Sequence, residues 1–400
     1  MNYKYNVSVI VVNFNGKKYI KPLFDSLIQQ RCTDFTFEII FVDNASTDDS
    51  LDFLSTNYSF ANNNISIIKN KKNLGFAGGN NIGVLASRGE YVVFLNNDTR
   101  VNEDWLNTLY HFILSNQDYG MVNSKILFYY DFIPLDFYTT DRIILDKTMH
   151  INDKTYVIDN KFCKNILYQD DLVCFGNSRI YIPLLDGSTG YRIRINCKDV
   201  FGVNASLKLC DIKKEIETKM IIDYTIGHKN IEEDAVTLVQ NAGSGITKRF
   251  EGYDIGFCEE NDDRYSESYE LQSGCGAGII LSKRDFIACG MFDKQFFMYY
   301  EDTDLSFRIR KAGKKIMFCP DAIVRHIHTG SSKEWSPFFR YYVNRNRLLF
   351  IYKNISKITY LKLALKQLLR NIRRKEIVEL KAVIASLLIV FVRTCQFRGK

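Results

Sequence analysis

The sequence predicts an α/β fold on a mostly parallel sheet, and three observations predict it. The runs Val7-Ser8-Val9-Ile10-Val11-Val12, Phe37-Glu38-Ile39-Ile40-Phe41-Val42 and Tyr91-Val92-Val93-Phe94-Leu95 are largely apolar without alternation, as in strands buried on both faces. Stretches with apolar residues at three- and four-residue spacing lie between them, as in Ile20, Leu23, Phe24, Leu27 and Ile28. Each strand then runs into turn residues at its carboxyl end, where an open parallel sheet forms its ligand crevice.

Taken in order, the first strand breaks at Asn13-Phe14-Asn15-Gly16 and a helix follows from Lys17 to Gln30. The second strand ends in Asp43-Asn44-Ala45-Ser46-Thr47-Asp48-Asp49-Ser50, a turn dense in helix N-cap residues, before a helix through Leu51 and Leu54. Ile65 to Ile68 is a short third strand. Asn73 to Gly83 is rich in glycine, which lets backbone approach a ligand ahead of a helix to Ser87. The strand at Tyr91 ends in Asn96-Asn97-Asp98, and a helix spans about Glu103 to Leu114.

From about Tyr129 to Val239 the pattern changes to period-two alternation, as in Tyr191-Arg192-Ile193-Arg194-Ile195, and predicts a β-rich insertion of half-buried antiparallel strands. Ala277 to Leu281 is a further strand. An aromatic run, Phe296-Phe297-Met298-Tyr299-Tyr300, leads into Glu301-Asp302-Thr303-Asp304 and a helix closed by Gly313. Ile316-Met317-Phe318 and Ala322-Ile323-Val324 read as two short strands ending at Arg325-His326-Ile327-His328.

Composition bounds the function. Hydrophobic residues at 46% and charged residues at 25% argue against disorder and against a multi-span membrane protein. The 24 Tyr and 29 Phe are read first as core filler, although they also suit a sugar-handling surface. Net charge is +7, but from Arg340 onward fifteen Lys or Arg face only Glu376 and Glu379, a local +13 that leaves −6 for the rest. That asymmetry points to an anionic surface met by a basic tail and not to nucleic acid. In the tail Ile355, Ile358, Leu361, Leu365, Leu368 and Ile372 recur at helical spacing. The apolar run Ala382 to Val392 would be ~17 Å long as a helix against a hydrocarbon core of ~30 Å, so it is expected to lie in a membrane interface or to dock on protein. Ten cysteines without a C-x-x-C pair, and no apolar leader after Met1, suggest reduced thiols, no zinc site and a cytoplasmic protein.

Five stretches in order, Val7 to Gly16, Val42 to Ser50, Asn73 to Gly83, Phe94 to Val101 and Gly274 to Gly313, resemble the family 2 glycosyltransferases of the GT-A fold, in their rhamnosyltransferase-like form. The resemblance implies a Rossmann-like, mostly parallel sheet with flanking helices, carrying here the β-rich insertion and a basic amphipathic C-terminal helical tail. It divides the chain into a nucleotide-sugar-binding part (1–128), the insertion (129–239), an acceptor and catalytic part (240–340) and a basic helical region (341–400). The insertion is longer than such enzymes usually carry between these motifs, and its role stays open.

By the same resemblance the activity is inverting hexosyl transfer from a dTDP- or UDP-sugar to a glycan or lipid-linked glycan acceptor, with Mg or Mn as cofactor, at the inner face of a membrane. Asp302 is the expected general base and Glu301 orients acceptor or base. Asn13, Asn15 and Asp43 are expected around the base and ribose, with Asn80, Asn97 and Asp98 completing the nucleotide-sugar pocket. Asp98 and His326 are the expected metal ligands, with His328 the competing histidine; Asp304 is expected only to start its helix. The triplet Asn96-Asn97-Asp98 lacks the first carboxylate of the usual Asp-x-Asp. A non-catalytic carbohydrate-binding or assembly protein on the same fold is the alternative, and self-association is open.

Overall fold

The computed structural model describes residues 3–60, 62–185, 190–327 and 335–398. The chain forms two compact units, one of Met1–Tyr129, Gln240–Phe257 and Asp262–Lys400, the other of Tyr130–Val239 and Cys258–Asn261.

The first unit contains strands β1 (Tyr5–Asn13), β2 (Phe37–Asp43), β3 (Ile65–Lys69), β4 (Gly89–Asn96), β5 (Thr99–Val101), β6 (Tyr119–Phe128), β7 (Gly278–Ser282) and β8 (Lys315–His326). Its helices are α1 (Lys17–Ile28), α2 (Ser50–Asn57), α3 (Gly75–Ala86), α4 (Trp105–Leu114), α5 (Lys283–Ala288), α6 (Glu301–Lys311), α7 (Pro337–Phe350), α8 (Lys357–Arg374) and α9 (Ile377–Arg398). The strands lie in the order β3-β2-β1-β4-β7-β6, with β8 beside β6 and β5 beside β8. Parallel pairing joins β3, β2, β1 and β4, whereas β7 runs antiparallel to both β4 and β6. Val9, Val11, Ile39, Phe41, Val93 and Leu95 are buried in one core, which is why the runs carry no polar alternation.

Two sequence expectations differ from this structure. The glycine-rich stretch is not a loop before a helix; it is the helix α3. A Cβ on Gly79 would meet Val12 at 2.7 Å, and one on Gly83 would strike Ile10, so these glycines let the helix lie close against β1. The two short strands after Gly313 are one strand, β8, with its pairing to β6 shifted between Cys319 and Ile323.

The second unit is antiparallel. Its long strand Phe132–Ile151 pairs with Leu172–Pro183, Gly190–Phe201, Ser206–Leu209 and Lys154–Val157. Tyr191, Ile193 and Ile195 point into its core while Arg192 stays exposed, the alternation read from the sequence.

Candidate active site

Pairing register gathers the first three turns on one edge. Asn13 stands opposite Asp43 in β1–β2, and Val12 stands opposite Asn96 in β1–β4. Asn13 is fully buried and bridges two turns: its Nδ2 donates to Ser46 Oγ at 3.0 Å and lies 3.5 Å from Asp43 Oδ1, while its Oδ1 accepts from Asn97 Nδ2 at 2.8 Å. Asp43 Oδ2 accepts from the Ser46 N–H at 3.1 Å. Asn15, at φ 53°, is exposed and accepts from the Thr47 N–H at 2.8 Å, which ties the turn after β1 to the turn after β2. Asn80 is buried in α3 and donates to the Phe76 carbonyl of its own helix, whereas Asn81 pairs with both backbone groups of Phe292.

The β8–β5 pairing sets His326 opposite Thr99, and the Ile327 N–H donates to the Asp98 carbonyl at 3.0 Å. His326 Nε2 lies 3.0 Å from Asp98 Oδ1, both side chains being largely buried. On the other side of the ring, Nδ1 lies 2.8 Å from Gln240 Oε1. A neutral imidazole has one N–H. In that form Gln240 Oε1, which can only accept, would take the proton at Nδ1 and leave the Nε2 lone pair directed at Asn96 Nδ2, 3.2 Å away, and at the Asp98 carboxylate. A lone pair and a carboxylate this close suit a shared cation, and an oriented imidazole plus a hard oxygen is a fitting donor pair for Mn or Mg. No group of three or more His, Cys, Asp or Glu converges among the described residues, so further ligands of such a cation would be phosphate or water oxygens. His328 lies outside the described residues.

The acidic pair opens α6 after a backbone that aromatic residues rarely adopt. Phe297, Tyr299 and Tyr300 have φ of 66°, 70° and 69°. Asn346, fully buried on α7, holds this loop by donating to the carbonyls of Phe296, Met298 and Tyr299 at 2.8, 2.8 and 2.7 Å. Arg345 donates to Gln295 and Phe296 carbonyls at 2.7 and 2.8 Å, and its guanidinium lies over Tyr342 at 4.6 Å from the ring centroid. The loop ends with Asp302 Oδ2 accepting from the Gly276 N–H at 3.0 Å and Oδ1 from the Thr303 N–H at 2.7 Å. Burial pushes the Asp302 carboxyl above its ordinary value against these hydrogen bonds. Glu301 is pushed up strongly, by burial first and by the Asp302 charge second, and its Oε2 has no hydrogen-bond partner among the described residues.

Asp304, expected only to start the helix, is fully buried between Arg308, Lys353 and Asn354. Lys353 also bonds Asp293 at 2.8 Å, which Arg393 of α9 reaches as well, and these cations hold Asp293 at about 2 although burial pushes the other way. The C-terminal helices thus brace the loop before the acidic pair.

Sequence reasoning missed Asp254. Its carboxylate accepts from Asn241 Nδ2 at 2.6 Å and Ser244 Oγ at 3.0 Å. Asp254 keeps exposed surface, yet the protein packed around it raises its carboxyl, against the two hydrogen bonds, and the nearby Asp302 charge adds to the rise. Gln240 on His326 and Asn241 on Asp254 are consecutive residues, so one short stretch sets both groups.

Residues 8–176 match the family described as Glycosyl transferase family 2. Over that stretch, less than half of the chain, the sequence is similar to that family. A UDP-Glc:alpha-D-GlcNAc-diphosphoundecaprenol beta-1,3-glucosyltransferase of Escherichia coli, WfaP, is 30% identical over 173 residues, covering 40% of this chain and 64% of that protein. A poly(ribitol-phosphate) beta-glucosyltransferase of Bacillus spizizenii is 32% identical over 112 residues, 28% of this chain and 18% of its own length. The alignments thus span less than two thirds of either relative. Among solved structures, GalNAc-T7 with UDP, GalNAc and Mn2+ superposes with a TM-score of 0.51 over 87% of this chain and 48% of that one, at 15% identity. That likeness is one of fold, and the fold is of the GT-A type.

Proposed function

We propose that the chain is an inverting, metal-dependent hexosyltransferase that moves a sugar from UDP or dTDP to a hydroxyl of a polysaccharide or lipid-linked oligosaccharide. The observation that carries the reading is Asp302, set at the start of α6 with both oxygens oriented by backbone N–H groups and its proton affinity raised by burial.

Asn13, Asn15 and Asp43 hold the base and ribose, Asp43 accepting from the imide N–H of uracil or thymine. Asn97 carries that network to the diphosphate, and Asn80 lies in the helix behind the same edge. Asp98 and His326 would hold Mg or Mn, which when bound neutralises the charge that builds on the leaving diphosphate. Asp302 takes the proton of the acceptor hydroxyl as its oxygen bonds the anomeric carbon. The bond from that carbon to the phosphate oxygen breaks on the opposite face, and the configuration inverts. Glu301, whose carboxyl is pushed up by burial and by the Asp302 charge, orients the acceptor or the base. In this scheme 1–128 bind the donor, 240–340 bind the acceptor, 129–239 are an insertion and 341–400 support the acceptor side.

The lipid-linked acceptor of the Escherichia coli relative favours work at the cytoplasmic face of a membrane. Rhamnose belongs to the donor class without being singled out in it. The test is transfer from a panel of UDP- and dTDP-sugars with Mg or Mn. A panel with no turnover would overturn the proposal, as would Asp302→Asn and Asp98→Ala variants as fast as the parent.

A further inference from the structure

The structure assigns a membrane-seating surface to α8 and α9, which we propose rest on the headgroup layer of an anionic bilayer. The idea depends on the reading above only for its purpose, the delivery of the cleft to lipid-linked acceptor, and not for its physics.

With successive residues about 100° apart, α8 divides lengthwise into three sectors. Ile358, Leu361, Leu365, Leu369 and Ile372 fall within an arc of about 80°, and each is more than half exposed. Lys362, Lys366, Arg370, Arg373 and Arg374 follow along one border of that arc, all exposed. Tyr360, Ala364 and Asn371 lie past the other border and are buried against the rest of the unit. The helix has no Asp or Glu. Among the described residues the acidic neighbour of its basic sector is Glu376, 4.0 Å from Arg370 and 3.9 Å from Arg374.

The next helix repeats the apolar sector. Ile377, Ile384, Leu388, Phe391 and Val392 are exposed on the side of α9 opposite Ala382, Val383 and Ser386, which are buried. Soluble folds bury such stripes, and here neighbouring helices each leave one outside while their opposite faces pack inward. An apolar arc bordered by Lys and Arg lies in an interface with its apolar side in the acyl boundary and its cations at lipid phosphates. Charge density selects the occupant: α8 carries no Asp or Glu, and an anionic bilayer presents a continuous layer of phosphates along its whole basic border, whereas the body of a second copy spreads a net −6 over its entire surface. No helix among the described residues is long and apolar enough to cross a membrane, so the contact is one of lying on the surface.

The experiment is co-sedimentation of the full chain with vesicles of phosphatidylcholine alone or with about one third phosphatidylglycerol. The parent is expected to bind the anionic vesicles at least about tenfold more tightly than the neutral ones. Lys362→Glu with Lys366→Glu and Arg373→Glu should weaken that binding about 100-fold or more. Leu361→Ser with Leu365→Ser and Leu369→Ser should abolish binding to both. All six positions are exposed, so melting curves should match the parent. Equal binding of the parent to both vesicles, or variants that bind as the parent does, would overturn the proposal. A parent dimer in sedimentation velocity that the leucine variant dissolves would overturn it too, because the stripe would then be a protein interface. Turnover of soluble donor, followed in the same samples, keeps the two readings apart: vesicle binding without turnover counts against the proposed reaction alone, and turnover without vesicle binding counts against the surface alone.

Discussion

Replacing Asn346 with alanine should damage catalysis from a residue that no acceptor touches. Its Nδ2 has two hydrogens, shared among the carbonyls of Phe296, Met298 and Tyr299. The loss of two hydrogen bonds in a buried place, with carbonyls left unmet, costs about 2–4 kcal/mol of stability. The same bonds hold Phe297, Tyr299 and Tyr300 at positive φ, a conformation that costs L-residues roughly 1–2 kcal/mol each. Once freed, the loop moves but recovers only a small part of that strain, because Arg345 still holds the Gln295 and Phe296 carbonyls, and Tyr300 directly precedes the acidic pair. A shift of about 1 Å in Asp302 is worth roughly 100-fold in rate. The expected outcome is a kcat lower by about 100-fold, a melting point lower by several degrees and a donor KM within about threefold, because the Asn13 and Asp43 turns are untouched. Steady-state transfer kinetics and calorimetric melting measure all three. An Asn346→Ala enzyme with parental kcat and melting point would refute the clamp.

Three further outcomes follow from the site. Glu301 has a raised folded-state pKa, so its stabilising contribution is full below the unfolded value of about 4.3 and is lost as pH rises through the folded one. Glu301→Gln should therefore melt above the parent at neutral pH, with a gap that closes toward pH ~4; a gap independent of pH would contradict this. Asp254→Asn keeps an acceptor oxygen for Asn241 and Ser244 but loses the carboxylate near Asp302; acceptor KM should rise about tenfold at an unchanged melting point, and an unchanged KM would remove Asp254 from the site. Gln240→Leu frees the His326 ring, and Mn affinity measured by calorimetry should fall about 10–100-fold; parental affinity would show that the ring needs no such anchor.

The parallel strands were readable because full burial writes itself as unbroken apolar runs, as in Ile39 to Val42. The insertion was readable for the opposite reason, since half-burial writes alternation into Tyr191 to Ile195. Glycine in Asn73 to Gly83 misled because its two uses, loop freedom and close helix packing, look alike until Val12 and Ile10 are seen beneath Gly79 and Gly83. The acidic pair was visible as a motif. The positive φ values before it were not, since Phe and Tyr have no local preference for them and the cause, Asn346, lies some fifty residues on. Asp254 looked like any polar-loop carboxylate, and only Asn241 and its surroundings distinguish it. Asp304 matched a helix-start pattern so well that its burial with Lys353 left no trace in the local sequence.

The central claim, that Asp302 is the base and Asp98 acts on the diphosphate side, is tested most directly by measuring acceptor transfer and donor binding in the same Asp302→Asn protein. The account predicts transfer lower by about 10²–10⁴-fold with nucleotide-sugar affinity at the parental level. Transfer at the parental rate, or donor binding lost together with it, would contradict that assignment.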